Sequence, residues 1–273
     1  MQPLRPEDLL LRHTPVDTGR WFEDTAEETS ATRVVPLERF QQLEQVLRDT
    51  PINVDPYLEL ARIYLQNSRW GDAKRVLDLA CARFPEHEES QFLREEAQIA
   101  RSLQLHAEAR QEHAAEPTRL TREKLERCNI ELNVLRENVC RARLARHPDQ
   151  IELNIPLATA LYNLGQSPEA IRVLQQAVGS PKLRAIAALQ LGRVLEKEQR
   201  IPEALSAYRR AALFRVPLPP LELRLQALSA AADLAERSQL IDSARRYVGL
   251  LLELRPDDAQ LAARFQALRQ RPL

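Results

Sequence analysis

One spacing of small and apolar residues recurs along this chain, and it constrains the fold more than any other feature. Its first copy predicts two amphipathic helices, each with three such residues on one face. These residues are Leu60, Ala61 and Tyr64 in the first helix and Ala73, Leu77 and Ala80 in the second. The residues 67–71 supply a turn between the helices, and Pro85 ends the unit because proline cannot continue a helix. The spacing therefore predicts a pair of helices that approach closely at the alanines.

The same spacing occurs three more times in the C-terminal half of the chain. The repeated residues are Leu157, Ala158, Leu161, Ala170, Leu174 and Ala177, then Leu191, Gly192, Leu195, Ala204, Tyr208 and Ala211, then Ala231, Ala232, Ala235, Ala244, Val248 and Leu251. Ala170 and Ala204 are 34 residues apart, and Ala204 and Ala244 are 40 apart. The six additional residues coincide with a proline-rich stretch at residues 217–220. The C-terminal half is therefore predicted to hold three further helix pairs.

These units resemble the tetratricopeptide repeat, whose pattern is aromatic-x2-Leu-small-x2-aromatic, then Ala-x3-large apolar, then Pro, with a period of 34 residues. The resemblance covers residues 55–86 and 150–256. It implies an all-α fold, an α-α superhelix in which successive helix pairs stack as a solenoid. The composition agrees, because good helix formers dominate and only six glycines occur.

The segment between the first unit and the others is helical in pattern but does not repeat. Pro117 breaks it, and the apolar residues that follow are spaced three and four apart, as in a heptad seam. They are Leu125, Cys128, Leu132, Leu135, Val139 and Ala142. We predict an elongated helical hairpin over residues 86–146, with an irregular pair (86–103 and 104–116) followed by one long helix as the alternative. The hairpin is either a spacer or an arm for dimerisation or docking, with Leu125, Leu132, Leu135 and Val139 as the oligomer seam.

Five segments follow from these patterns. They are a flexible acidic tail at 1–33, a capping helix with the first unit at 34–86, the hairpin at 87–147, three units at 148–258 and a terminal capping helix at 259–273. The tail holds seven acidic residues, which favours disorder. Within it, residues 9–11 (Leu-Leu-Leu) and 21–22 (Trp-Phe) are a candidate docking motif.

Several classes of function are disfavoured by the sequence. The net charge is zero, whereas a nucleic-acid binder needs a basic face. No run of eighteen apolar residues predicts a membrane span, and no glycine-rich run predicts a nucleotide loop. His106 and His113 are too far apart along a helix to share a metal, and the three cysteines lack metal or disulfide spacing. We therefore expect a cytoplasmic protein that is not an enzyme, without cofactor, metal, nucleic acid or membrane as partner.

In tetratricopeptide proteins the first helices of successive units line a concave groove that binds a partner. By this resemblance the binding residues here are Leu58, Arg62, Leu65, Ile155, Thr159, Tyr162, Leu189, Arg193, Glu196, Ser229, Asp233 and Glu236. The Lys/Asn/Arg clamp of the chaperone-binding members is absent from these positions. The sequence thus predicts a scaffold that binds a peptide or helical segment of another protein. The alternatives are a homo-oligomer, in its simplest form a homodimer, that uses residues 118–146, and a non-catalytic subunit of an enzyme complex.

Overall fold

The computed structural model describes residues 37–49 and 53–270. These residues form twelve α-helices, one short 3₁₀ segment (Ile151–Leu153) and no strand. The helices are α1 (Leu37–Asp49), α2 (Asp55–Gln66), α3 (Trp70–Arg83), α4 (Glu88–Ala115), α5 (Arg119–Arg146), α6 (Asn154–Asn163), α7 (Ser167–Val178), α8 (Arg184–Lys197), α9 (Ile201–Leu213), α10 (Leu221–Arg237), α11 (Ile241–Leu254) and α12 (Ala259–Gln270). The predicted all-α fold is confirmed. The predicted tail and its candidate docking motif lie outside the described residues.

The contacts divide the chain into two compact units, and the division falls between Val139 and Cys140 within α5. In the N-terminal unit, α2 and α3 pack against each other and α1 and α4 flank them. The residues that define the first repeat form the centre of this packing. Leu60, Ala61, Tyr64, Ala73, Leu77 and Ala80 are each at most 2% exposed. The spacing read from the sequence therefore corresponds to the faces that the two helices bury.

The hairpin between the repeats consists of α4 and α5, which have 28 residues each. Its tip is held by contacts across the turn at Pro117. His113 Nδ1 lies 3.0 Å from Thr121 Oγ1, and Lys124 Nζ lies 2.6 Å from a carboxylate oxygen of Glu112. The alternative of separate helices at 86–103 and 104–116 is wrong. Although its C-terminal half is polar, α4 continues without a break to Ala115.

In the C-terminal unit, each helix from α6 to α12 packs against the next one. The tightest approach lies in the third repeat, where α8 and α9 cross at Gly192. A Cβ atom at this position would lie 2.5 Å from Cδ1 of the Tyr208 ring. Both residues stand at signature positions of the repeat. A small residue is needed here because the ring fills the space that a side chain would occupy.

All four repeats use the same turn between their two helices, although four different residue pairs form it. One residue of each turn has a positive φ: Ser68 at 56°, Gly165 at 79°, Gln199 at 60° and Gln239 at 59°. The next residue donates its N–H to the carbonyl five residues earlier, at Tyr64, Leu161, Leu195 and Ala235. Each distance is 2.8 or 2.9 Å. This left-handed cap ends the first helix and reverses the chain.

Candidate protein-binding surface

The first helices of the C-terminal repeats, α6, α8 and α10, lie next to one another. α8 contacts both α6 and α10. Arg193 on α8 also donates a hydrogen bond of 3.5 Å to the side-chain oxygen of Gln226 on α10. Among the half-buried side chains on these helices are Tyr162, Gln190, Arg193, Gln226 and Ser229. We call these five residues the first-helix face.

Three of the apolar residues predicted to bind a partner belong to the core instead. Leu58 is 4% exposed, Ile155 is 4% exposed and Leu189 is 3% exposed. Each side chain is taken up by packing within its own unit, so it offers no surface to another protein. The neighbouring Gln190 is half-buried, so the accessible residue at this point of α8 is Gln190 and not the predicted Leu189.

Thr159 is also nearly covered, at 9% exposure. Its hydroxyl donates a 3.1 Å hydrogen bond to the carbonyl of Ile155 in the preceding turn of α6. Because the hydroxyl of Thr159 already donates to a carbonyl of its own helix, it needs no hydrogen-bond acceptor from another protein.

The remaining predicted residues have side chains that are at least partly accessible to solvent. In the N-terminal unit, Arg62 is exposed and forms an ion pair with Glu89 on α4, and Leu65 is half-buried. In the C-terminal unit, Tyr162, Arg193, Ser229 and Glu236 are half-buried. Asp233 is exposed and Glu196 is half-buried, but contacts with neighbouring helices engage both carboxylates.

Glu196 is the centre of the first of these contacts. It accepts a 2.6 Å hydrogen bond from the Tyr208 hydroxyl on α9 and a 2.5 Å one from Arg237 on α10. Burial, followed by the hydrogen bond to Glu196, raises the pKa of the Tyr208 hydroxyl above its ordinary value. The phenol therefore stays protonated and donates to the carboxylate. The three side chains connect the two helices of the third repeat to the first helix of the fourth.

Arg264 on the terminal helix α12 engages two further acids. Its guanidinium lies 2.6 Å from the carboxylate of Asp233 and 2.6 Å from that of Glu236, both on α10. Burial, the largest single contribution, lowers the pKa of Arg264, but the hydrogen bonds to Asp233 and Glu236 and their negative charges raise it above its ordinary value. Charged groups of the first helices are thus used to connect repeats. The first-helix face itself is mostly amide and hydroxyl in character.

The predicted oligomer seam on α5 is partly covered within the chain. Leu132 is 2% exposed and Val139 is 4% exposed, whereas Leu125 and Leu135 are half-buried. The buried residues of this helix also include Asn133, Arg136, Cys140 and Arg143, whereas Ala142 of the heptad is exposed. A second copy could reach Leu132 or Val139 only if that packing opened.

In the part of the chain that the structure describes, no group of three or more His, Cys, Asp or Glu side chains is arranged to hold a metal ion. No helix among the described residues is long and apolar enough to cross a membrane.

The comparison with protein families decides the identity of these helix pairs. Residues 155–218 match the tetratricopeptide repeat family. The match identifies the helix pairs within this segment as tetratricopeptide repeats. The matched segment runs from the first helix of the second unit to the loop after the third. A search of curated proteins returned no similar sequence.

Among solved structures, the chain is similar to YrrB, a TPR protein with an unusual peptide-binding site. The identity is 16%, 84% of this chain and 99% of that chain are covered, and the TM-score is 0.49. It is also similar to a chain of the Naa15/Naa10 complex bound to HypK-THB (15% identity, 85% and 36% covered, TM-score 0.44). A chain of the APC/C hetero-tetramer Cut9–Hcn1 follows (14% identity, 85% and 46% covered, TM-score 0.36).

Two features of this surface were not found from the sequence. Gln190 and Gln226 stand at the exposed positions of their helices, but an isolated glutamine carries no signal of its own. The ion pairs of Glu196, Asp233 and Glu236 depend on residues 28–41 positions away in the chain. Comparing charges at equivalent positions of successive units is the signal that could have indicated them.

Proposed function

We propose that this protein is a non-catalytic interaction scaffold that binds a segment of a partner protein through the first-helix face. The observation that carries the proposal is the presence of half-buried Tyr162, Gln190, Arg193, Gln226 and Ser229 on three first helices that neighbour one another. Tetratricopeptide repeats are known as a protein-binding fold, and the matched segment covers two of these three helices.

The chemistry of the face favours an extended segment that is read mainly through its backbone. Gln190, Gln226 and Ser229 each combine a donor and an acceptor, which suits the alternating N–H and C=O groups of a peptide. Tyr162 offers an aromatic surface for one apolar anchor, and Arg193 offers a charge-assisted donor. The acids nearby are held by Arg237 and Arg264, so they contribute less to recognition.

Site-specific photo-crosslinking tests this proposal. A photoreactive residue in place of Gln190, within the full-length chain, is expected to capture a specific protein. The same residue in place of Gln175, an exposed position on the second helix α7, is the matched control. Equal capture at both positions, or capture only at Gln175, would place binding elsewhere.

A peptide from the captured region then allows the affinity to be measured. Tyr162→Ala and Arg193→Ala are each expected to weaken binding by about tenfold or more, as truncation of an anchor residue does. Arg172→Ala, on the outer helix α7, is expected to leave the affinity unchanged. If the Tyr162 and Arg193 variants bind as well as the unaltered protein, the face is not the binding site.

A further inference from the structure

A second surface of the C-terminal unit has a chemistry that protein binding through the first helices does not use. It lies in the loop between α9 and α10, where the repeat is six residues longer than its 34-residue period. Four of the large apolar residues that the structure exposes lie in this loop or at the helix ends that flank it. They are Leu213 at 45%, Val216 at 75%, Leu218 at 65% and Leu221 at 49% exposure.

The loop is anchored at two points, and its apolar side chains project between them. Phe214 packs under the guanidinium of Arg184, which lies 5.5 Å from the ring centre. Pro219 is buried. Between these anchors, Val216 and Leu218 are the two most exposed aliphatic side chains of the C-terminal unit's described part. Packing of the repeats leaves these two side chains mostly exposed, although residues on either side of them are packed.

The surroundings of the loop are basic. Arg215 and Lys182 are exposed, and the contact with Phe214 brings Arg184 and the neighbouring Lys182 to the same edge. Among the described residues, no carboxylate lies within ion-pair distance of these three cations. The acid closest to Arg215 along the sequence, Glu222, is paired with Arg255 at 3.8 Å. We call Lys182, Arg184, Arg215, Val216, Leu218 and Leu221 the basic–apolar edge.

We propose that the basic–apolar edge binds an anionic lipid surface peripherally. The acyl chains of a lipid bilayer can surround exposed aliphatic side chains, so their burial needs no preformed pocket. Cations beside the apolar tip lie where the anionic headgroups would be, and each contributes to attraction. Such contact is separate from crossing the bilayer. The expectation of no membrane partner rested on the lack of an apolar span and did not address surface contacts.

Sedimentation of the full-length protein with lipid vesicles tests the proposal. Binding is expected to vesicles of phosphatidylcholine with about a third of phosphatidylglycerol, and not to phosphatidylcholine alone. The double variant Val216→Ser/Leu218→Ser is expected to weaken binding by about tenfold or more, because it removes the inserting groups. Arg215→Gln is expected to weaken it by about fivefold. Circular dichroism of each variant checks that the helices are intact.

Two matched controls separate this edge from general surface chemistry. Leu240→Ser removes an aliphatic side chain of 44% exposure from a different turn, and Lys197→Gln removes an exposed cation from α8. Both variants are expected to bind vesicles as the unaltered protein does. Absence of binding to anionic vesicles overturns the proposal, as does binding that is insensitive to Val216 and Leu218. Binding to soluble polyglutamate without binding to vesicles would also overturn it and would indicate an acidic protein segment instead.

Discussion

Gly192 on α8 and Tyr208 on α9 lie in contact where the helices of the third repeat cross, with no room between them for a methyl group. Tyr208 is 1% exposed, so its ring has no open space into which it could move. This pair explains why the small residue of the repeat pattern is a glycine here, whereas the other units have alanine.

We expect Gly192→Ala to destabilise the protein by about 1–3 kcal/mol, because an additional methyl group must displace a buried ring. Chemical denaturation measures the change. Gly71→Ala is the control, since nothing lies within 4 Å of a Cβ at Gly71 and its φ is not in the left-handed region. In a helix that change is expected to be neutral or stabilising. A neutral Gly192→Ala would mean that the helices cross further apart than the structure shows.

Leu77 and Leu79 make a second matched pair, on the helix α3. Leu77 is 0% exposed and Leu79 is 53% exposed. Leu77→Ala is expected to cost about 2–5 kcal/mol, because it leaves a cavity between the helices of the first repeat. Leu79→Ala is expected to change stability by less than about 0.5 kcal/mol. Denaturant titration of both variants checks the register, and similar losses for both would contradict it.

The turns between the helices of each repeat allow a stabilising substitution. Gln199 is exposed and has a φ of 60°, a region that is unfavourable for residues with a Cβ. Gln199→Gly is expected to raise stability by up to about 1 kcal/mol, since relief of strain outweighs the added freedom of the unfolded chain.

Gly165→Ala provides the reverse test at the equivalent turn of the second repeat, where φ is 79°. It is expected to lower stability by about 1 kcal/mol. Thermal unfolding of the two variants is sufficient to measure both changes. A loss of stability in Gln199→Gly would show that its side chain contributes more than the backbone strain costs.

The Tyr208–Glu196 hydrogen bond predicts how stability depends on alkaline pH. Burial, and then the bond to Glu196, raises the pKa of Tyr208 above its ordinary value of 10.0. The folded protein therefore holds this proton more tightly than the unfolded chain does. The stabilisation is complete below about pH 10 and is lost as the pH rises towards the pKa of the folded state.

Urea unfolding at increasing pH measures this loss. Tyr208→Phe is expected to be less stable near neutral pH, because Glu196 loses one donor, and to show a smaller decline above about pH 10. The same steep decline in Tyr208→Phe would assign it to another tyrosine, such as Tyr247, whose pKa burial also raises.

Much of the fold was predictable because the signal is local. The residues at 60, 61, 64, 73, 77 and 80 are buried as their spacing predicted, since a helix with one apolar face must bury that face. The same logic predicted the hairpin, and two residues of its heptad seam, Leu132 and Val139, are covered within the chain. Heptad spacing shows that a face is buried, yet it does not show whether the covering helix belongs to the same chain.

The helices, their pairing within each repeat, the period of the repeats and the match of residues 155–218 to the tetratricopeptide repeat all follow from the amino-acid sequence alone. These depend on contacts between residues close in the chain. Three properties were visible only in the tertiary structure. They are the solvent accessibility of each first-helix residue, the pairing of Arg237 and Arg264 with Glu196, Asp233 and Glu236, and the exposure of the apolar side chains in the loop after α9. Those properties depend on how successive repeats are placed against one another, and a pattern repeated within single units carries no record of that placement.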